Sequence, residues 1–337
     1  MSRGILILVM LSVLSGAALA QPAGLPPRSP VQRCINLGNM LEAPEEGWWG
    51  LRVERDYLTT IAGAGFDAVR IPISWSTHAA SEPPYTIDPA FFARVDEVVG
   101  WALADGLKAI INVHHYEEMM SDPAGHFPRL RALWAQIAEH YADYPPALMF
   151  ELLNEPFEAL TPLRWNEYAA DLIALIRQTN PGRTLIVGGG WWNSVEGLMQ
   201  LRLPDDPDLL ATFHYYHPFE FTHQGAEWSP EVTDLSGIAW GTGEERLDLE
   251  SNIRIAAAWA VYNRRPLLLG EFGVYGRVAD LDSRLRWTTA VRAEAEAQGI
   301  GWCYWEFAAG FGIYDPESRT FNPLYRALIP QAGPARP

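Results

Sequence analysis

Lysine is nearly missing from this chain: Lys108 is the only one among 25 basic residues. A Schiff-base mechanism needs an amine at the reacting centre. Lys108 opens a predicted strand, at the opposite end from the polar clusters described below, so that chemistry is excluded. Positive charge is scarce overall. The formal net charge is −16, which argues against nucleic acid and anionic surfaces as partners and suits a neutral substrate. Metal-site spacings are missing as well. HExxH does not occur. The first predicted strand ends in Asn36-Leu37-Gly38-Asn39, where barrel metallohydrolases carry His-x-His. His214, His217 and His223 lie close in sequence, yet no metal and no cofactor is expected. Gly188-Gly189-Gly190 lacks the lysine and helix cap of a phosphate loop and reads as a flexible turn.

Long apolar runs are equally few. Ile5 to Leu14 follows Arg3 and precedes Ala18-Leu19-Ala20, the layout of a cleaved export signal over residues 1–20. The run is too short to span a bilayer, and no other is long enough. Residues 21–33, with Pro22, Pro26, Pro27 and Pro30, read as a disordered or extended lead-in. Residues 34–330 read as one catalytic domain and 331–337 as a tail. A secreted or periplasmic protein is expected, with no membrane association after signal cleavage. There are two cysteines, Cys34 and Cys303. They fall in what would be the first and last strands of a closed barrel, and either a disulfide or two buried thiols fits.

What is present is a regular alternation. Cys34–Leu37, Ala68–Ile71, Ala109–Val113, Leu148–Leu152, Thr184–Val187, Leu210–Phe213, Leu267–Leu269 and Gly301–Tyr304 are predicted strands. Helical spacing falls at Leu51–Gly63, Ala90–Ala104, Arg129–Tyr141, Pro162–Thr179, Leu247–Tyr262 and Ser283–Gln298, with short helices at Val195–Leu201 and Pro323–Leu328. Eight strands, each followed by a helix, predict a single-domain (β/α)8 barrel of the α/β class. Polar or aromatic groups end nearly every strand: Asn36 and Asn39, Arg70, His114-His115, Asn154-Glu155, His214 and Tyr216, Glu271, Trp305. In this fold the strand ends form the catalytic face.

The segment FELLNEP, Phe150 to Pro156, carries two carboxylates and an amide inside an apolar run. A buried carboxylate is costly unless paired or functional. Pro156 biases Glu155 toward extended backbone, which sets its carboxyl at the barrel mouth. Glu151 lies deeper and reads as a paired interior residue. Glu271 ends the seventh strand and faces Glu155 across the mouth. Two such carboxyls, one protonated and one ionised, are the machinery of glycosidic hydrolysis. Arg70 would hold Glu271 ionised, Tyr216 would donate to the same oxygen, and Asn154 would bond a sugar 2-hydroxyl. Among the 14 tryptophans, Trp305, Trp228 and Trp75 are candidates for stacking on sugar rings. Trp134, Trp165 and Trp259 read as core. Trp48-Trp49 and Trp191-Trp192 fit either role.

The ordered segments NLGNMLEAP, VRIPISW, NVHHY, LLNEP, FHYYHPFEFTHQGAEW, GEFG and YWEF resemble glycoside hydrolase family 5, the endo-β-1,4-glucanase and β-mannanase family. The resemblance implies a retaining mechanism with Glu155 as acid/base and Glu271 as nucleophile. It implies catalytic support from Arg70, His114, Asn154, His214 and Tyr216, and substrate contacts from Asn39, Glu42, His115, His223, Trp228 and Trp305. A monomer acting on soluble or amorphous β-1,4-linked polysaccharide is expected. Two alternatives remain: a mannanase or dual glucanase/mannanase, and a glycan-binding barrel that does not cut.

Overall fold

The computed structural model describes residues 24–330. The export signal and tail read from the sequence lie outside them. Eight strands form the centre: β1 (Arg33–Asn36), β2 (Ala68–Ile71), β3 (Lys108–Asn112), β4 (Leu148–Glu151), β5 (Leu185–Gly188), β6 (Leu209–His214), β7 (Leu267–Glu271) and β8 (Gly301–Tyr304). All neighbours run parallel in chain order, and β8 pairs back with β1 to close the barrel. Parallel strands need a crossover, which the helices supply on the outside. Strands covered on both faces read as near-continuous apolar runs, and from β4 to β8 every strand residue is buried. This is the (β/α)8 barrel that the alternation predicted.

The crossover helices start where side chains take up free N–H groups. Asp88 accepts from Ala90 ahead of Pro89–Ala104, and Asp122 from Gly125 ahead of Pro123–His140. The longest helix, Gly243–Asn263, has a capping box: Thr242 accepts from the Glu245 N–H and the Glu245 carboxylate from the Thr242 N–H. The helix predicted from Arg129 begins six residues earlier at Pro123, because the Asp-Pro pair starts it and an interior Pro128 masks the periodicity. Strand β7 runs on through Gly270 to Glu271, which places that carboxylate within the barrel wall.

Two other expectations change. The end of the lead-in is packed: Val31 is fully buried, and Asp67 accepts from the N–H groups of Gln32 and Arg33. The glycine run after β5 is not a flexible turn. A Cβ on Gly189 would stand 2.3 Å from the Gly197 carbonyl carbon, so the backbone approaches there as only glycine permits.

Inside the barrel, Cys34, Ala68, Ile110, Met149, Ile186, Leu210, Leu268 and Cys303, one from each strand, pack with Val31 into an apolar cluster of their own. Cys34 and Cys303 are registered neighbours across β1 and β8 and form a disulfide. Lys108, at the start of β3, pairs with Asp67 at 2.9 Å, far along the strand from the end that carries the candidate site.

Candidate active site

Side chains alternate across a strand, so two residues beyond the apolar cluster the same strands again point inward. There β2 places Arg70, which is fully buried. All five of its N–H groups are used. Nε and Nη2 donate to Glu151 at 2.5 and 3.0 Å, Nη1 to Asn36 Oδ1 at 2.9 Å and Glu271 Oε1 at 2.6 Å, and Nη2 to Asn154 Oδ1 at 2.7 Å. Glu151 is thus the paired interior residue that its depth suggested. Asn36 is held in turn by the carbonyls of Gly270 and Tyr304. A lysine has no such planar fork and could not join four partners.

Glu271 accepts a hydrogen bond on each oxygen, from Arg70 on Oε1 and from the Tyr216 hydroxyl on Oε2 at 2.9 Å. Tyr216 therefore serves the oxygen opposite the one Arg70 holds, not the same one. Burial raises the Glu271 pKa above its ordinary value, opposed by His214 and Arg70. The net direction is upward where Arg70 alone suggested a firmly ionised group, because desolvation outweighs the ion pair.

Glu155 lies four residues beyond the end of β4. Its φ is +45°, in the left-handed region and not the extended one that Pro156 suggested. The strand has already stopped at Glu151, and the Asn154 N–H is tied to the Val113 carbonyl at 2.9 Å. The chain must turn sharply there, and a strained backbone at such a point is typical of functional sites. The Glu155 side chain is 25% exposed, against 6% for Glu271. Its Oε1 meets His214 Nδ1 at 2.7 Å. Burial lifts its pKa to about 7, with Arg70 opposing and Glu151 and Glu117 adding to the rise. His214, from the irregular end of β6, is held neutral by burial, with its pKa pushed down to about 4.

One carboxylate oxygen each from Glu155 and Glu271 and one nitrogen of His214 lie within 4.8 Å of one another. That is a donor set for a cation, but the Arg70 guanidinium already supplies positive charge to Glu271. His114 is buried with Nδ1 3.0 Å from the Asn112 amide, and its ring lies parallel to Trp305 at 5.9 Å.

Every site residue predicted from sequence, except the fully buried Arg70 and Trp75, lines one open cleft of about 1740 Å³. Glu42 is buried, accepts from the Asn39 and Met40 N–H groups, and has its pKa raised by burial to about 8. His115 meets Trp49 edge-on at 5.7 Å, and His223 stacks on Phe219 at 4.2 Å. Trp228 stands exposed against Tyr275 at 4.8 Å. Trp75 is a correction. Its indole is fully buried and donates to the Asn112 carbonyl, so it packs the core and reaches no sugar. Trp134, Trp165 and Trp259 are buried as expected, while Trp49, Trp191 and Trp192 line the cleft. Sequence reading missed Asn193, fully buried with its amide nitrogen 3.4 Å from His214 Nε2; no pattern in the sequence marks it.

Two carboxyls facing each other at the mouth of a (β/α)8 barrel, in a trough open enough for a polymer, are a site of the glycoside hydrolase type. The family model "Cellulase (glycosyl hydrolase family 5)" matches residues 33–310, and the chain belongs to that family of hydrolases. Endoglucanase H of Acetivibrio thermocellus is 38% identical over 297 residues, 85% of this chain and 31% of the relative. The chain spans about a third of that protein and of the next curated relative, Cellulase/esterase CelE of the same organism, at 31% and 37% of their lengths. Endoglucanase Cel5A of Thermotoga maritima, solved with cellobiose and with mannotriose, superimposes with TM-score 0.87 at 46% identity. That match covers 88% of this chain and 97% of the other.

Proposed function

We propose that the protein is an exported, retaining endo-β-1,4-glucanase. The observation that carries this reading is the pairing of Glu155 and Glu271, with an oxygen of each inside 4.8 Å. Retaining glycosidases set their carboxyl groups about 5–5.5 Å apart, whereas inverting ones leave a wider gap for water. Hydrogen bonding supports the division of roles. Glu271, with a donor on both oxygens, is equipped to act as a carboxylate nucleophile. Glu155, with a single hydrogen-bond contact, to His214 Nδ1, and a pKa near 7, is equipped to be protonated at working pH.

In the first step Glu271 attacks the anomeric carbon, the glycosidic C–O bond breaks, and the departing oxygen takes the Glu155 proton. In the second, the Glu155 carboxylate takes a proton from water. The water oxygen attacks the same carbon, and the ester bond to Glu271 breaks. Asn154 Oδ1 accepts from Arg70, which leaves its Nδ2 to donate to the 2-hydroxyl of the sugar. The paired charges and these donors meet every charge that develops, so no cofactor is needed.

A second substrate has a specific argument: the Thermotoga maritima relative is solved with both cellobiose and mannotriose. Reducing ends released from barley β-glucan and from linear β-mannan, wild type beside Glu155→Ala, test both substrates. Cleavage of glucan that is lost in the variant supports the reading, and the mannan rate decides between strict and dual specificity. Failure to cut either polymer sinks it and moves the binding-only barrel forward. Azide rescue checks the roles: Glu271→Gly should yield the α-glycosyl azide and Glu155→Gly the β form.

A further inference from the structure

After β5 the backbone does something costly. Trp191, Trp192 and Asn193 have φ of 52°, 57° and 54° in succession. The left-handed region is unfavourable for an L-residue other than glycine, and asparagine is among those that tolerate it best. The turn sends the two indoles to the cleft and leaves Asn193 fully buried behind its lining. There the Asn193 amide Nδ2 stands 3.4 Å from His214 Nε2, while its Oδ1 has no partner. Gly188 makes the room, since a Cβ on it would lie 2.2 Å from Asn193 Oδ1.

A neutral imidazole carries one N–H and one lone pair. An amide N–H aimed at Nε2 calls for the lone pair there, which leaves the proton on Nδ1. That nitrogen lies 2.7 Å from Glu155 Oε1. We infer that Asn193 is a positioning residue that holds the His214 proton on Nδ1 and thereby keeps the transferable proton of Glu155 on Oε2. The inference rests on Glu155 being the acid. With Nδ1–H donating to Oε1, the carboxylic proton has only Oε2 to occupy, and among the described residues Oε2 accepts no hydrogen bond. Bond breaking then runs in one direction. The Oε2–H bond opens as the glycosidic oxygen takes the proton, and the water of the second step returns a proton to Oε2. Without Asn193, His214 is free to carry its proton on Nε2. Protonated Glu155 would then donate from Oε1 to Nδ1, hiding its proton from the substrate.

Two measurements test this. In wild-type protein with 15N-labelled histidine, the ring nitrogen shifts of His214 at neutral pH should report Nδ1–H with Nε2 bare; an Nε2–H tautomer overturns the inference. Asn193→Asp replaces a donor with an acceptor. Its kcat/KM on barley β-glucan should fall about tenfold or more, up to the roughly 10²–10⁴-fold that general acid catalysis supplies in full. On 2,4-dinitrophenyl β-cellobioside, whose leaving group needs no proton, the loss should stay below about twofold by the same reasoning. Equal losses on both substrates would mean a merely structural role and overturn the inference, as would no loss on either. Glu155→Gln is the control for the underlying reading. If it fails to show the same contrast between leaving groups, the assignment of the acid falls, whereas the tautomer is judged by its own spectrum.

Discussion

Two storeys of the barrel interior are built from the same eight strands and have opposite chemistry. The lower one is Cys34, Ala68, Ile110, Met149, Ile186, Leu210, Leu268 and Cys303, an apolar cluster sealed by Val31 and tied by a disulfide. Two positions further along each strand stand Asn36, Arg70, Asn112, Glu151, Gly188, Thr212, Gly270 and Trp305. The lower storey gains stability simply by leaving water. The upper one gives up water around Arg70 and Glu151, with Glu271 one position past Gly270 as the second carboxylate partner, and recovers the cost only through complete pairing. Stability and chemistry are therefore segregated along a single residue period. A mutation's consequence should depend on which storey it strikes.

The largest expected effect is at the mouth just above the upper storey and is purely catalytic. Glu155→Gln should lower kcat/KM on β-glucan roughly 10²–10⁴-fold, the usual range for a general acid and base, with a melting temperature no lower than wild type. Next comes Arg70→Met, which leaves Glu151 and Glu271 buried without their cation. Breaking a buried pair from one side costs about 3–5 kcal/mol, to be read from denaturant midpoints, and activity should vanish with it. In the lower storey, Cys34→Ala with Cys303→Ala should cost about 2–4 kcal/mol of stability and leave kcat unchanged below the melting point. A loss of kcat in that double variant would erase the distinction between the storeys.

The smallest effect is a pH-dependent one. Burial raises Glu155 from an ordinary 4.5 to about 7 when folded. A raised acid binds its proton more tightly in the native state, so its contribution to stability is full below pH 4.5 and is lost as pH rises through about 7. Glu155→Gln removes that dependence. The melting temperature of the variant minus that of wild type should grow between pH 5 and pH 8 in thermal scans; a flat difference would place Glu155 in water.

Most of the barrel was legible because its strands are continuous apolar runs and its helices open with prolines and acidic caps. The pairing of Glu155 with Glu271 could be read because each follows such a run. Depth was harder to read. Trp75 stands near a strand end like Trp305, yet it is fully buried, and only packing distinguishes them. The Glu155 backbone went the other way from its local preference, because tertiary ties on Asn154 outweigh the influence of Pro156. Asn193 was invisible because its meaning comes from a left-handed turn that no periodicity encodes.

The disulfide has one more consequence. Cys34 and Cys303 are 269 positions apart, so the bond turns nearly the whole barrel into a covalent ring. A protease that nicks any one loop between them opens the ring without releasing a fragment. The cut piece stays tethered at both of its old neighbours, and the barrel can close around the break. Separation needs a second cut or a reductant. A single nick then cuts the chain without dividing the molecule.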